Sequence, residues 1–243
     1  MIKKTEGIVL RTLKHQDTNV ITTVYTEAEG KKGFIVKGYR SARSRSRHSY
    51  FQPLSIIEVV YQQKNPNQLG KVSESRLAHL LQTAQTEPIK LSLGLAMMEI
   101  FDDTVREEEA NPPLYQFFKR VILHLDFSEK RLIHIFLYFL LHHTRFLGFM
   151  PLDRSEGSLY CTFDPQTGIF QPSKSDADRV AFILRQFLYH DLIHLPEATS
   201  IQQILFTSEE KRHMITTLFK YYEQHVEGFR YPQTMRVFAE IFS

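Results

Sequence analysis

The chain has 243 residues, 42% of them hydrophobic and 23% charged, so it can bury a sizeable core in one large or two modest domains. Its net charge of +3 conceals an asymmetry: residues 1–80 hold 14 Lys and Arg against 6 Asp and Glu, whereas the remainder is net acidic. A single cysteine, Cys161, excludes an internal disulfide and a four-cysteine zinc site. No leader peptide is read at MIKKTEGIVL, and the apolar run 132–141 is too short for a membrane span.

Residues 1–80 read as strands. GIVLRTL (7–13) and NVITTVY (19–25) are rich in β-branched residues and are separated by the turn KHQDT. Gly30-Lys31-Lys32-Gly33 turns the chain into a third strand ending at Lys37-Gly38-Tyr39, where alternation places Lys37 and Tyr39 on one face. PLSIIEVVY (53–61) is a fourth strand and residues 71–75 a fifth. Five short strands suit a closed barrel, because closure removes exposed edges. Tyr39 is either barrel packing or a platform on which a base stacks.

Between strands three and four lies KGYRSARSRSRHSY, residues 37–50. It carries Lys37, Arg40, Arg43, Arg45 and Arg47 and no acid. So dense a run cannot form a core, and it is either a solvated loop or a surface for a polyanion. Guanidinium forks and serine hydroxyls match phosphate oxygens. Arg11, Lys14, Lys31 and Lys32 are expected to add charge at the same end of the barrel. No basic amphipathic helix occurs in this head, so nucleic acid is a better partner than membrane.

From Pro88 the period becomes helical, giving a second domain over residues 81–243. Helices are predicted over 89–106, fraying at the following glutamates; over 114–125 after Pro112; and over 129–147, capped by Ser128. LYCTFDPQTGIF (159–170) reads as a β-hairpin inserted around residues 155–172. Further helices are expected over 175–190, 201–206, 208–226 and from Pro232 to the end. Thr199/Gln202 and Thr207/Glu210 form capping boxes.

His190 and His194 share a helix face, but Asp191 is too short for the usual glutamate base and no third ligand is evident. His142 and His143 suit interhelical hydrogen bonds, and Cys161 suits a small buried hydrophobe. No phosphate loop, nucleophile elbow or paired carboxylate appears, so the reading is of a non-enzyme.

Several pieces in order resemble the RecO family of recombination mediators: Gly7-Ile8-Val9-Leu10-Arg11, Tyr25-Thr26-Glu27 with Gly30, Val36-Lys37-Gly38-Tyr39-Arg40, and Gln52-Pro53-Leu54. Further along come Phe139 with Gly148-Phe149-Met150-Pro151, and the stretch YYEQHVEGF from Tyr221. The resemblance implies an α+β architecture, an N-terminal five-stranded OB-fold β-barrel followed by a mainly α-helical domain with a β-hairpin in place of a zinc finger. It implies a cytoplasmic, nucleoid-associated bacterial protein of DNA repair and recombination. Such a protein binds single- and double-stranded DNA, anneals strands and helps load RecA onto DNA covered by single-strand binding protein. The implied partners are RecR, in many systems RecF, and the acidic C-terminal tail of single-strand binding protein. Many members carry four cysteines where this chain has only Cys161, so no zinc is expected, with Tyr160, Phe163, Ile169 and Phe170 holding the hairpin instead. The alternative is an adaptor whose helical domain binds an acidic peptide tail, the basic and apolar stretch 130–145 having the composition for such a pocket.

Overall fold

A computed structural model describes residues 2–39, 49–65, 68–106, 108–158, 160–174, 178–189 and 204–235. The chain forms two compact units, one comprising Met1–Phe127 with Pro232–Ser243, the other Ser128–Tyr231.

The first unit begins with a closed barrel, in the order β1 (Ile2–His15), β2 (Asn19–Thr26), β3 (Gly30–Val36), β5 (Gly70–His79) and β4 (Ile56–Gln62). Neighbours are antiparallel except β3 and β5, which close the barrel by a short parallel pairing of Phe34 with Gly70 and Ile35 with Lys71. A bulge between Val9 and Arg11 shifts the alternation of β1, so that Val9 points inward yet Arg11 and Leu13 point outward. The interior is filled by Val9, Val20, Val24, Phe34, Val36, Phe51, Ile57, Val59 and Tyr61. This alternation of β-branched residues along β2 and β3 is what the sequence pattern anticipates.

Two helices complete the described part of this unit, α1 (Pro88–Thr104) and α2 (Pro112–Phe127). Proline opens each, as its missing N–H is one of the unpaired donors of a first turn. Helix α1 ends at Thr104, ahead of Glu108 and Glu109, where carboxylates would face the negative end of the dipole. Phe101 of α1 stacks on Phe118 of α2 at 4.0 Å, and Tyr25 of the barrel meets Phe101 edge-on at 4.8 Å. Asp126 fixes the connection from the barrel to α1, its carboxylate accepting the N–H groups of Gln82, Thr83 and Ala84. The buried Lys90 ammonium donates to the Asp126 carbonyl at 2.9 Å and to the Thr83 hydroxyl. Burial disfavours the Asp126 charge, but these backbone donors outweigh it and hold the carboxyl below its ordinary range. The helical turn beginning at Pro232 is held to this unit by Glu99, which accepts the Gln233 N–H at 2.6 Å.

The second unit contains α3 (Leu132–Phe146), α4 (Arg179–Tyr189), α5 (Ser208–His225) and a three-stranded sheet. The sheet order is β6 (Leu152–Asp153), β8 (Ile169–Pro172), β7 (Cys161–Asp164), with β7 and β8 forming the expected hairpin. Phe163 and Phe170 pack at 4.6 Å and Phe163 meets Tyr221 of α5 at 5.4 Å, while Cys161 is buried. Tyr160 is 39% exposed, so the expectation that its side chain helps hold the hairpin is corrected: its contribution is its backbone carbonyl, which accepts the Ser173 N–H at 3.0 Å. Arg185, buried on α4, donates to the Ser158 carbonyl at 2.7 Å and to the Ser155 hydroxyl, pinning the loop before β7.

The Thr207/Glu210 capping box forms in full and starts α5 where the sequence places it. One predicted helix start and one predicted helix end are corrected. Ser128 does not cap α3; Arg131, in a left-handed conformation, precedes its first residue. Residues 204–206, predicted helical, run as non-helical chain because His134 holds them: its Nε2 lies 3.0 Å from the Ile204 carbonyl and its ring stacks on Phe206. His142 Nε2 reaches the Phe187 carbonyl of α4, an interhelical bond as expected. The pair His190 and His194, and the capping box Thr199/Gln202, lie outside the described residues.

Candidate nucleic-acid interface

Cross-strand partners in a sheet share a face, so the barrel register sorts its outer surface into rows. Ile8, Tyr25 and Lys31 form one row, Arg11, Thr23 and Gly33 the next, and Leu13, Ile21, Ile35 and Lys71 a third. The first row is covered, since Tyr25 packs on Phe101 and Tyr115 of the helices and is 1% exposed. The third row is open: Leu13 is 55% exposed, and Ile21 and Ile35 are half-buried. Leu69, 41% exposed, lies over Gly33, where an added Cβ would stand 2.5 Å from its methyl. One half of the face therefore carries the helices and the other half presents an aliphatic strip.

The cations divide along the same line. Lys31 reaches Asp102 of α1 at 2.6 Å and donates to the carbonyls of Asp102 and Val105, and Arg11 pairs with Asp102 at 2.9 Å. Lys119 donates to Glu6 at 2.6 Å, joined there by the Tyr115 hydroxyl at 2.7 Å. Burial resists ionisation of Glu6, but these two donors prevail and hold its carboxyl below the ordinary value, while burial and Glu6 raise the Tyr115 hydroxyl far above its own. Lys4 and Arg76 bracket Glu58, chiefly through the Arg76 hydrogen bond, and pull its carboxyl down to about 2. By contrast, Lys14, Lys37 and Lys71 are exposed and have no ion-pair partner among the described residues. Uncompensated charge is collected at the end of the barrel where β3 finishes and where Lys71 begins β5.

A second feature lies in the other unit. A cavity of about 350 Å³ opens between the start of α3 and residues 204–206. Leu132, Ile133, Leu205 and Phe206 supply its apolar wall, Lys130, Arg131 and Lys211 a basic rim, with Glu129 the acidic exception. His134 holds its two sides together, and burial, reinforced by the charges of Arg131 and Lys211, keeps its imidazole neutral to lower pH than usual.

Residues 1–81 match the family described as Recombination protein O N terminal, and residues 85–234 match Recombination protein O C terminal. The chain belongs to the RecO family. A DNA repair protein RecO from Flavobacterium johnsoniae is 31% identical over 244 residues, covering 99% of each chain. Those of Christiangramia forsetii and Phocaeicola vulgatus are each 29% identical over the full length of both chains. The barrel followed by a helical region is the α+β architecture of an N-terminal OB-fold with a helical C-terminal part, and the chain is a DNA repair and recombination protein. No helix among the described residues is long and apolar enough to cross a membrane.

Set on this RecO barrel, the residues singled out in the sequence separate. Arg40, Arg43, Arg45 and Arg47 lie outside the described residues; their described neighbours Tyr39 and Tyr50 both pack on the barrel core. Two placements are corrected. Strand β3 stops at Val36 and Gly38, with φ +64°, turns the chain, so Lys37 faces solvent while Tyr39 turns inward, edge-on to Phe51 at 6.2 Å. Lys31 and Lys32 do not share an end with Lys14: Lys14 stands opposite Val20 and through it Val36, five residues along β3 from Lys31, or roughly 16 Å. Lys32 is half-buried beside the Glu29 carboxylate, whereas Lys14 and Lys37 remain at the open end. Sequence reading missed Leu13, Ile21, Ile35 and Lys71. The period-two pattern puts each on a face, but which face stays open depends on where the helices settle.

Proposed function

We propose that the open end of the barrel binds DNA through its phosphates, with Lys14, Lys37 and Lys71 contributing to a groove together with Arg40, Arg43, Arg45 and Arg47. One observation carries the reading: the barrel cations Arg11 and Lys31, near the helices, pair with Asp102, whereas Lys14, Lys37 and Lys71 have no ion-pair partner among the described residues. A structural surface neutralises its charges, and a phosphate-binding one keeps them available. On this reading the protein is a non-enzymatic mediator that binds and anneals single strands, acts also on duplex DNA, and helps load RecA onto DNA coated by single-strand binding protein. RecR and, where present, RecF are its working partners, in the cytoplasm at the nucleoid. It works without zinc, the packing of Phe163 against Phe170 serving the hairpin.

The test is the salt dependence of binding to a labelled oligonucleotide. Reversing Arg43, Arg45 and Arg47 to Glu is expected to flatten the plot of log affinity against log salt by about 2 to 3, and adding Lys37→Glu and Lys71→Glu to flatten it further. Lys31→Met is expected to leave the slope in place. An arginine variant with the wild-type slope would overturn the assignment.

A second reading concerns the cavity beside α3. An apolar wall with three cations on its rim fits the chemistry of an acidic peptide ending in a bulky apolar residue, and on this reading it takes the tail of single-strand binding protein. If that were the chain's main task, it would be an adaptor with DNA binding secondary. Titration of a labelled tail peptide against Lys130→Glu and Lys211→Glu decides: lost peptide binding with intact DNA binding supports two separate sites.

A further inference from the structure

We propose that Asp102 is a built-in competitor for phosphate at Arg11, holding that guanidinium out of the DNA site and so marking where the site ends. The inference rests on the nucleic-acid reading above and adds to it a residue that limits affinity from outside the site. Both side chains belong to the first unit, Arg11 on β1 and Asp102 in the last turn of α1. The bulge between Val9 and Arg11 brings Arg11 to the outer surface, three residues along β1 from Lys14, or roughly 10 Å. Arg11 thus stands between the row covered by the helices and the open end of the barrel.

Helix α1 gives no local reason for a carboxylate here. Its last turn carries Asp102 and Asp103 and no cation, although the negative end of the helix dipole disfavours acids. Lys31 answers that charge. Its ammonium lies 2.6 Å from Asp102 Oδ1 and donates to the carbonyls of Asp102 and Val105, closing the end of the helix, and its side chain is 20% exposed. Arg11 is the second cation on the same carboxylate, with Nε 2.9 Å from Oδ2 and a side chain that is 55% exposed. An ion pair so exposed contributes little to folding, so Arg11 is not needed to hold α1 on the barrel. A carboxylate and a phosphate offer a guanidinium the same kind of acceptor oxygens, and Asp102 therefore occupies Arg11 as a DNA phosphate would. A phosphate approaching Arg11 has to replace that contact and also meets the negative charge of Asp102 itself. Both effects favour DNA at Lys14 and beyond over DNA at Arg11.

The experiment titrates a labelled oligonucleotide with the full-length protein at several salt concentrations. Asp102→Asn removes the charge and keeps the shape, and Asp102→Ser removes the charge and keeps an acceptor for Lys31. Each is expected to bind DNA about three- to tenfold more tightly at low salt, with the slope of log affinity against log salt steeper by about 0.7 to 0.9, one additional phosphate contact. Thermal unfolding of the same samples reports that they are folded, and either variant alone suffices for the comparison. Asp103→Asn, which removes an equal charge from the neighbouring position, is expected to change affinity by less than about twofold and leave the slope in place. Adding Arg11→Gln to Asp102→Asn is expected to abolish the gain. Unchanged or weaker binding in the folded Asp102 variants would overturn the proposal, as would a gain that survives Arg11→Gln or is matched by Asp103→Asn. A wild type that binds no oligonucleotide at any salt concentration would remove the nucleic-acid reading and the competitor with it.

Discussion

Asp126 and Asp102 show how much a single carboxylate decides in this chain. Asp126 receives three backbone N–H groups from the segment that leaves the barrel, so removing it strands three donors at once. Asp126→Ala is expected to cost about 3 kcal/mol, read as a lower urea midpoint, with Asp126→Asn recovering part of it through its remaining acceptor oxygen. Asp102 acts differently. By engaging Arg11 and Lys31 it removes two cations from the pool open to a ligand. Nothing in the local sequence of Lys31 announces this, because Asp102 stands 71 residues away at the end of another element.

Among the elements, the hairpin of β7 and β8 is the one whose support could be misjudged from composition. Four aromatic and aliphatic residues were candidates, yet Phe170 is fully buried and Tyr160 is 39% exposed. Phe170→Ala is expected to lower stability by about 3–5 kcal/mol and Tyr160→Ala by less than about 1 kcal/mol, measured by thermal or urea unfolding. Equal effects would contradict the packing described. Helix boundaries follow the same rule: the Thr207/Glu210 box is a contact between residues three apart and was legible, whereas the start of α3 and the non-helical run of residues 204–206 were not. The latter depends on His134, 70 residues distant from Ile204.

For the molecule as a whole, the carboxylates that join barrel to helices set the acid limit of stability. Glu6 and Asp126 both titrate below their ordinary values of 4.5 and 3.8, held down against burial by Lys119 and Tyr115 in one case and backbone donors in the other. A depressed pKa in the folded state means that the unfolded chain takes up protons first, so this stabilisation is complete above the unfolded values and disappears as pH falls through the folded ones. The unfolding midpoint of the first unit is therefore expected to decline below about pH 4.5, and Glu6→Gln is expected to flatten that decline. An unaltered acid limb in Glu6→Gln would show that the Lys119 contact contributes little.

The alternation of β-branched residues, the change to a helical period at Pro88, the capping box at Thr207 and the arginine-rich segment are all written within a few residues of one another. Short-range sterics and hydrogen bonding suffice to read them. Local pattern thus determined the barrel, the helices, the hairpin and the basic character of the head. The tertiary structure decided which face of that barrel is left open, which lysines have no ion-pair partner among the described residues, and that Tyr39 turns inward. Each of these depends on residues distant in sequence meeting in space: Phe101 and Tyr115 cover Tyr25, Asp102 claims Arg11 and Lys31, and Phe51 receives Tyr39. An outward position becomes a binding surface only where no other part of the fold has already packed against it.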